Sequence, residues 1–453
     1  MSTFKVIIVG GGLSGALLAN GLINHDIDAV VYERDAEGSK REGYQIRLGE
    51  SSLTGFRACL TGEHMQSIIN NLGQSSGDTA GAPTIFNSRF EEIIDLGILP
   101  TYARSSAMNR VVLRDALLEP IKKKGRMHYE KGFQRYDIVE ERGRERVRVA
   151  FSDGSSDTCD VLVGADGSGS RINSQLGANN LVTIESHMPF VYKGDVPQHR
   201  LQKLPKCLHK GPMVVFTNKA SLYYALYLPQ DYKDKTNESE GTSDLAYDET
   251  AASFFWGFHI PKSEVPYASP SQVQNAWQLC MDKMDEWGWA QELKDLVRIG
   301  SEDNKAGVTP IVGRASNQLP KDWRSKVRSS RSDAEAGHPR VWLIGDAVHA
   351  MQPNRGQGGN QAMHDAADIL PELLALNDIT LTNKALSTQD FQAACARYES
   401  RMFDRAFPWV KKSGGTALPS LDLDGYLGTF LKCVSWTVLP AVRFVCKIVG
   451  IKG

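Results

Sequence analysis

The sequence predicts an α/β protein with three parts: a parallel sheet between helices, a mostly β region inserted into it, and a helical C-terminal segment. The first observation behind this prediction is a buried-type strand over residues 4–9 that runs into a glycine-rich turn and a helix. The second is a pair of later apolar strands that lead into Gly-Ala-Asp and Gly-Asp segments. The third is a group of aromatic, alternating strands between them. Parallel strands covered on both faces are continuously apolar, whereas half-covered strands alternate.

The N-terminal βαβ unit has the pattern that binds a dinucleotide. Residues 4–9 precede G-x-G-x-x-G at Gly10, Gly12 and Gly15, and a second strand ends in Glu33. The first glycine permits a tight turn, the second lets backbone N–H groups approach a pyrophosphate, and the third lets helix and strand pack closely. Glu33 is placed to accept hydrogen bonds from a ribose hydroxyl, which favours FAD or NAD over NADP. An ordinary glycine-rich turn is the alternative.

Two further motifs follow strands that should end at the same edge of the sheet. The strand over residues 159–163 leads into Gly-Ala-Asp-Gly, and the strand over 341–344 leads into Gly345-Asp346 and a long loop that reaches Asn360. In a doubly wound sheet, ligands bind where the carboxyl ends of the strands meet. We therefore expect both loops to lie at the dinucleotide.

Together the three motifs resemble those of the single-component, FAD-dependent aromatic hydroxylases, the group A flavoprotein monooxygenases with the p-hydroxybenzoate hydroxylase fold. They are G-x-G-x-x-G, G-A-D-G-x-x-S and G-D-A-x-H-x-x-x-P-x-x-G-Q-G-x-N, and they cover roughly residues 4–370. The resemblance implies a Rossmann-like FAD-binding domain with an inserted, mostly β substrate domain and a C-terminal helical segment. The expected boundaries are 1–75, 101–182 and 300–372 for the FAD-binding domain, 76–100 and 183–299 for the substrate-binding sheet domain, and 373–453 for the helical region.

The resemblance also implies which residues hold FAD. Asp346 should hydrogen-bond the ribityl chain, the loop 353–360 should lie beside the isoalloxazine, and Arg110 in an R-x-x-L-x-x-x-L helix should lie near the cofactor. A solvated helical Arg110 is the alternative. Asp166 is implied near the pyrophosphate, although Asn173 stands where an Arg is common. The predicted cofactor-binding residues are Gly10, Gly12, Leu13, Ser14, Gly15, Glu33, Arg34, Arg47, Arg110, Asp166, Asp346, Pro353, Gly356, Gly358, Gly359 and Asn360.

Three residues are catalytic candidates. Arg47 follows the second strand, where it could contact FAD or orient a substrate oxygen, with plain salt bridging as the alternative. Tyr192 and Asp195 lie on the strand that enters the inserted region, where an acid or base could reach the substrate, or else hydrogen-bond within the sheet. His349 is expected to shape its loop, with proton transfer as the alternative, because an imidazole titrates near neutral pH.

The inserted region predicts either a packed core face or an apolar pocket. Alternation places four apolar side chains on one face of a strand, namely Phe254, Trp256, Phe258 and Ile260. These residues fill a core, or one face of the sheet lines a large pocket for a bulky hydrophobic substrate. The stretch 256–261 also approximates the W-x-W-x-I-P motif of flavin-dependent halogenases, with Phe258 in place of the second Trp. Halogenation is therefore an alternative function.

Composition argues against several classes of function. The chain has 453 residues, with 52 Lys and Arg against 53 Asp and Glu, so it carries no surplus of positive charge for nucleic acid. Its seven cysteines never form C-x-x-C, which fits a reducing compartment without a disulfide framework or a zinc site. The N-terminus lacks a signal-peptide core, so we expect a cytoplasmic protein. No second G-x-G-x-x-G lies between residues 170 and 340, so NAD(P)H should bind transiently.

The last part of the chain predicts helices. We expect one helix over about 360–370 and another over 391–405, each ending before the next proline, because proline removes a backbone donor. The stretch 426–450 is apolar but makes a poor membrane span, because it contains Lys432, Arg443 and Lys447. If its helix continues past Pro440, it packs across both domains or lies on a membrane surface.

These interpretations predict an FAD-dependent monooxygenase. The resemblance implies that NAD(P)H reduces FAD, that O2 adds at the flavin C4a, and that the C4a-hydroperoxyflavin hydroxylates or epoxidises a bulky hydrophobic, aromatic or olefinic small molecule. The protein would exclude water, stabilise charge and position the substrate. A halogenase and a non-oxygenating, FAD-binding electron-transfer protein are the alternatives. The expected partners are the substrate and O2, with no metal, no nucleic acid, and membrane-surface contact through residues 426–450.

Overall fold

The structure is a computed structural model of the chain. It describes residues 4–39, 45–72, 82–98, 106–141, 143–195, 198–209, 211–228, 253–302, 304–382, 385–417 and 421–449. The strands are β1 Lys5–Val9, β2 Asp28–Tyr32, β3 Gln45–Leu48, β4 Thr84–Phe86, β5 Glu92–Asp95, β6 Ser106–Asn109, β7 Met127–His128, β8 Phe133–Glu141, β9 Arg144–Phe151, β10 Ser156–Cys159, β11 Val161–Gly164, β12 Leu181–Thr183, β13 His187–Asp195, β14 Met213–Phe216, β15 Ser221–Tyr227, β16 Ser253–Pro261, β17 Thr309–Pro310, β18 Arg314–Ser316 and β19 Val341–Leu343.

The α-helices alternate with these strands in the first part of the chain and dominate the last part. They are α1 Leu13–Asn24, α2 Glu50–Cys59, α3 Gly62–Asn70, α4 Arg110–Lys123, α5 Arg171–Leu176, α6 Gln198–Leu201, α7 Ala276–Glu286, α8 Gln291–Ser301, α9 Trp323–Ser330, α10 Asp346–His349, α11 Gly358–Leu381, α12 Thr388–Lys412 and α13 Tyr426–Val449.

The first layer is a five-stranded parallel sheet in the order β19-β11-β1-β2-β7. Its central strand β1 is covered on both faces, and Val6, Ile7 and Ile8 are completely buried, as a continuous apolar run predicts. The helix α1 is also buried along most of its length, between the sheet and α2, α4 and α11. This packing brings the ends of β1, β11 and β19 to one edge of the sheet.

The second layer is a seven-stranded sheet in the order β17-β13-β16-β15-β14-β4-β5. One face packs against α7 and α8 and forms a second hydrophobic core. Two strands of this layer, β15 and β16, contact the two-stranded sheet of β3 and β6. The strand β17 belongs to this second layer, whereas the sequence-based boundaries place residues 300–372 in the cofactor domain.

Two predicted helix ends are wrong, because the helices continue through proline. The helix α11 continues through Pro371 to Leu381, and α12 continues through Pro408 to Lys412. An interior proline removes one hydrogen bond and costs about 3 kcal/mol. Both helices bury apolar side chains beyond the proline, such as Leu373 and Val410, and this burial offsets the cost. The helix α13 likewise continues past its proline.

Candidate cofactor and substrate site

The turn after β1 has the geometry that its three glycines predict. Gly10 has a φ of +114°, and a Cβ on it would lie 2.2 Å from the backbone oxygen of Ala165. A Cβ on Gly15 would lie 2.1 Å from the backbone oxygen of Gly10. A Cβ on Gly12 would meet no atom of the described residues within 4 Å. Because Gly12 has no side chain, it leaves the first N–H groups of α1 uncapped, and these groups are suited to bind a phosphate.

The two residues that follow Gly12 pack against the third motif. Leu13 and Ser14 are both buried. A Cβ on Gly345 would lie 3.1 Å from Ser14 Oγ, and a Cβ on Gly359 would lie 3.8 Å from Leu13 Cδ1. The structure therefore brings the first and third motifs into contact.

Glu33 is tied to the glycine turn by an arginine that the sequence analysis missed. Its Oε2 accepts a hydrogen bond from Gly11 N at 2.9 Å and from Arg114 Nη2 at 3.2 Å. Arg114 Nε also donates to Gly11 O at 2.8 Å. Arg114 lies four residues after the predicted Arg110, on the same side of the helix, and this spacing is the signal that could have identified it. Arg34 is different, since its side chain is 67% exposed and lies beside Asp35.

Asp166 shapes the loop after β11 rather than pointing away from it. Its carboxylate accepts hydrogen bonds from Ser170 Oγ at 2.6 Å, Arg171 N at 2.9 Å and Ile172 N at 3.4 Å, and so it caps α5. Burial raises the pKa of Asp166, and these hydrogen bonds oppose that rise. The loop lies directly against the turn at Gly10. Any contribution of Asp166 to pyrophosphate binding therefore depends on the loop conformation that it holds.

Asn173 joins the second motif to the third. Its Nδ2 donates to Asn180 Oδ1 and to Ala347 O, both at 2.8 Å. Asn180 Nδ2 in turn donates to Val348 O at 2.8 Å. Arg171, the nearest arginine in the sequence, instead donates to a carbonyl oxygen at the start of β8. The position where the resembled family often has an Arg thus has a structural, amide-based role here.

Asp346 and Arg110 come together although different motifs predict them. Asp346 is exposed, while the residues on either side of it, Gly345 and Ala347, are buried. The surrounding protein raises the pKa of Asp346, and the charges of His349 and Arg110 oppose this shift. Burial lowers the pKa of Arg110 to about 10, and the carboxylate of Asp346 opposes that shift. An accessible carboxylate beside a desolvated guanidinium fits a ligand that carries both hydroxyl groups and negative charge.

A buried ionic network stabilises the loop that carries Asp346. His349 Nε2 lies 2.7 Å from Asp365 Oδ2, and Gly345 N donates to the same oxygen at 2.6 Å. Arg405 Nη2 donates to Asp365 Oδ1 at 2.5 Å. Burial alone would raise the pKa of Asp365, but His349 and Arg405 hold it below its ordinary range. These contacts favour the loop-shaping interpretation of His349.

The predicted flavin loop is anchored to the end of α12. Pro353 is exposed in a 3-10 turn, and the side chains around it bind the backbone of residues 412–417. Gln352, Asn354 and Arg355 donate to carbonyl oxygens there at 2.9 to 3.0 Å. Sequence reasoning missed this anchor, because nothing in either segment indicates its partner.

The glycines after Pro353 let the loop turn into α11. Gly356 has a φ of +61°, in the left-handed region that favours glycine. Gly358 is the first residue of α11, and a Cβ on Gly359 would lie 2.5 Å from Ile46 Cδ1 on β3. The N-terminus of α11 therefore lies close to β3, where its partial positive charge can stabilise negative charge on a ligand.

Asn360 fastens this turn to the strand that carries Arg47. Its Oδ1 accepts a hydrogen bond from Gly49 N at 2.7 Å, and its Nδ2 donates to Arg47 O at 2.7 Å and to Gly356 O at 2.8 Å. The amide is therefore used within the protein. Arg47 lies on β3 with a half-buried side chain, beside the flavin loop and below the second layer.

The four apolar residues singled out in β16 face away from the first layer. All four are at most 3% exposed and pack with α7 and α8, which confirms the core interpretation of this face. The halogenase-like segment thus places its Trp and Phe side chains in a hydrophobic core. The residues are Phe254, Trp256, Phe258 and Ile260.

Tyr192 lies on that same core face, so the structure does not bring it to the cofactor side. It pairs with Trp256 across β13 and β16, its ring stacks 6.1 Å from that of Trp256, and it is 3% exposed. Asp195 ends β13 opposite Ser253, and its side chain lies outside the described residues.

The opposite face of the sheet looks towards β3 and β6. Strand register places Val191, Lys193, Tyr223, Phe255 and Gly257 on this face, and β15 and β16 are the strands that approach β3 and β6. The ring centroids of Tyr223 and Phe255 lie 5.9 Å apart. An apolar surface with two aromatic rings and one lysine therefore lies across from β3, which carries Arg47, and from β6, which leads into Arg110. Lys193 was not among the predicted site residues.

Comparisons with known proteins agree with this geometry. The family model described as "FAD binding domain" matches residues 3–254 and 286–388. Among curated proteins, the dual O-methyltransferase/FAD-dependent monooxygenase elcB of Phaeosphaeria nodorum is 27% identical over 90% of this chain. The FAD-dependent monooxygenase dbaB of Emericella nidulans is 26% identical over 82%, and the chloroplastic zeaxanthin epoxidase of Nicotiana plumbaginifolia is 23% identical over 82%. The chain spans 45% of elcB, 87% of dbaB and 48% of the epoxidase.

Solved structures share the fold over nearly the whole chain. A putative FAD-containing monooxygenase from Photorhabdus luminescens superposes with a TM-score of 0.69 at 21% identity, covering 91% of this chain and 98% of that one. HpxO of Klebsiella pneumoniae, in complex with FAD and uric acid, superposes with a TM-score of 0.62 at 19% identity, covering 97% and 92%. The predicted α/β fold and the prediction of FAD as cofactor are confirmed.

Proposed function

The chain belongs to the FAD-binding domain family, and from this premise we propose that it is a single-component monooxygenase that hydroxylates or epoxidises a bulky hydrophobic small molecule. NAD(P)H supplies two electrons, one atom of O2 enters the product, and the other leaves as water. The observation that carries the proposal is the apolar face of the second layer, which includes Phe255 and Tyr223. This face is turned towards β3 and β6, and the residues suited to FAD lie on the other side of those two strands. An electron-transfer protein has no use for such a surface.

The residues that would hold FAD come from all three motifs. The uncapped start of α1 at Gly12 suits the pyrophosphate, and Glu33 suits a ribose. Asp346, with Arg110 beside it, suits the ribityl chain. Bound FAD would supply the redox chemistry, namely acceptance of electrons from NAD(P)H and activation of O2.

The chain's own contribution is to orient the substrate and keep water away from the reacting centre. The sheet face presents Phe255, Tyr223 and Val191 to an apolar ring or olefin. The N-terminus of α11 offers its backbone N–H groups to negative charge on the cofactor. Arg47 lies beside the flavin loop and is placed to orient a substrate oxygen or contact FAD.

The test is purification of the full chain followed by assays with a panel of aromatic and olefinic compounds. We expect a yellow protein with bound FAD, substrate-stimulated oxidation of NADH or NADPH, and a product that carries one oxygen atom from isotopically labelled O2. A colourless protein that takes up no FAD would refute the proposal. Bound FAD with no labelled product, but with reduction of a protein acceptor, would support the electron-transfer alternative.

The halogenase alternative makes a different prediction. It requires halide incorporation, so assays with added bromide should yield a brominated product. We expect none, because Trp256 and Phe258 of the approximate motif lie in the core between the sheet and its helices.

We also propose that α13 rests on a membrane surface through its outward face. Tyr426 is 98% exposed, Trp436 72% and Phe430 64%, while the inward side packs beside β5 and Lys432 pairs with Glu91 at 3.7 Å. Among the described helices, none is both long and apolar enough to cross a bilayer. Exposed aromatic residues on a helix that also carries basic residues fit an interfacial helix on anionic lipid.

Vesicle sedimentation tests this second proposal. The full chain should sediment with vesicles that contain phosphatidylserine, and the double variant F430S/W436S should sediment several-fold less. Leu381→Ser is the matched control, because Leu381 is 61% exposed at the end of α11, and it should bind like the unsubstituted chain. Equal binding by the double variant would refute the proposal, as would no binding by the unsubstituted chain.

A further inference from the structure

We propose that Lys193 recognises an acidic group on the substrate: a carboxylate or an ionisable phenolic or enolic hydroxyl. The inference rests on the proposed function, since it concerns the same substrate face. It specifies the substrate class as an apolar aromatic or olefinic body with one acidic group, rather than a hydrocarbon.

The register of the second layer places Lys193 on the substrate face. Along β13, Phe190 and Tyr192 enter the core against α7 and α8, so Val191 and Lys193 point to the other side. Lys193 pairs with Phe255 on β16, which in turn pairs with Ala225 on β15. The ammonium group is therefore carried on the same side of the sheet as the Phe255 ring.

Arg110, which lies outside the second layer, is a charged neighbour of Lys193. Burial, followed by repulsion from Arg110, lowers the pKa of Lys193 to about 8. Arg110 begins α4 at the end of β6, which approaches β15, and its other charged neighbours are Asp346 and Arg114. The positive charges of Lys193 on β13 and Arg110 on α4 therefore lie near each other. An anion that loses its hydration on binding is stabilised most where two positive charges act on it in a partly buried space.

The surroundings of Lys193 explain how one charge could select a substrate. Val191, Tyr223, Phe255 and Gly257 share its face and offer an apolar surface with ring edges. A pocket of this kind holds the body of a ligand without fixing its orientation, and a single polar group then sets which end enters first. Lys193 would hold the acidic end and so present a defined part of the ring or olefin to the cofactor.

The experiment titrates the FAD-loaded full chain with sets of aromatic probes and follows the flavin absorption spectrum, without turnover. Each set has one ring system in three forms, for example naphthoate, naphthol and methylnaphthalene, and the panel extends to three- and four-ring systems. The unsubstituted chain should bind the acid at least about tenfold more tightly than the methyl compound, which is the worth of one charge-assisted hydrogen bond. Lys193→Met should abolish this preference and leave the Kd of the methyl compound within about twofold, because that probe makes only apolar contacts.

Two controls separate charge from structure. Lys193→Arg keeps the charge and should keep the preference for the acid. Lys219→Met removes an exposed lysine from the turn between β14 and β15 of the same layer, and it should bind all probes like the unsubstituted chain. The melting temperature and FAD content of each variant show that it is folded and loaded.

Three results would overturn the proposal. The first is an unchanged acid preference in Lys193→Met. The second is the lack of any acid preference in the unsubstituted chain across all ring sizes. The third is a loss of FAD affinity in Lys193→Met, which would assign the lysine to the cofactor. Acid preference without any oxygenated product would instead uphold the role of Lys193 and refute the proposed function.

Discussion

The glycine-rich turns of the first layer and the aromatic strands of the second both carry strong sequence patterns, but the patterns determine structure to different depths. At Gly10 and Gly15, an added Cβ would meet a backbone oxygen at 2.2 and 2.1 Å, so the motif itself specifies the contact. In β16, alternation separates Phe255 from Trp256 without saying which of them is covered. Trp256 is completely buried, and Phe255 lies on the opposite face, which is turned towards β3 and β6. A backbone contact can thus be inferred from a motif, whereas the use of a sheet face depends on what packs against it.

The largest expected effect tests the two faces of β16. Trp256→Ala should lower the free energy of unfolding by about 4 kcal/mol, because it leaves a cavity in the core formed with α7 and α8. Phe255→Ala should cost about 2 kcal/mol or less, since its ring is only partly buried, but it should weaken binding of apolar probes. Urea denaturation and the probe titration measure the two quantities. Equal losses of stability would mean that the faces do not differ as described.

The next effect separates the roles of two glycines in one turn. Gly15→Ala should destabilise the fold by about 3 kcal/mol, because its Cβ cannot avoid the backbone oxygen of Gly10. Gly12→Ala should leave the melting temperature of the FAD-free chain unchanged and weaken FAD binding, because its Cβ enters the space of the ligand. Calorimetry and FAD titration give both values. A destabilised Gly12→Ala chain with normal FAD affinity would contradict this assignment.

A smaller effect concerns the carboxylate that the third motif supplies. Asp346→Ala should weaken FAD binding about thirtyfold, the equivalent of one or two lost charge-assisted hydrogen bonds, at nearly unchanged stability. Asp346→Asn should lose less, because an amide oxygen still accepts a hydrogen bond. Flavin fluorescence during reconstitution provides the Kd. Full FAD occupancy in dilute Asp346→Ala protein would rule out the role.

The smallest effect concerns the anchor between the flavin loop and the end of α12. Gln352→Ala removes two hydrogen bonds to carbonyl oxygens, so it should cost about 1 kcal/mol and speed hydrogen exchange in residues 351–357. Arg397→Ala removes an ion pair between α12 and Glu372 of α11; it is the control and should leave exchange in this loop unchanged. Identical exchange in both variants would show that the anchor does not hold the loop.

Much of the candidate cofactor site could be predicted, because it is built from local backbone geometry. The sequence indicated the glycine turn, Glu33, Asp346 and Arg110, and the structure places them at one edge of the parallel sheet. Arg114 was missed although its spacing from Arg110 was visible, because no pattern shows which carboxylate an arginine will meet. The assignment of FAD followed from long motifs, and the family match confirms it.

Predictions that depended on long-range packing were less successful. The helices α11 and α12 were expected to end before Pro371 and Pro408, and both continue, because burial on neighbouring helices outweighs one lost hydrogen bond. Tyr192 was selected for its position on a strand, and the register turns it into the core. Lys193, one residue later, lies on the opposite face, which is turned towards β3 and β6, and was not selected. Consecutive residues of a strand point to opposite faces of the sheet, so the position of a strand alone does not show which of its residues faces a site.

The sequence by itself determined the βαβ unit, the positions of the strained glycines and the cofactor, since these depend on short-range sterics and on hydrogen-bonding groups within a few residues of one another. The tertiary structure decided which sheet face is core, which cations meet between the layers and what anchors the flavin loop. Those outcomes depend on contacts between segments that are distant in the sequence, such as Gln352 with the end of α12. A local pattern carries no information about such partners until the layers pack.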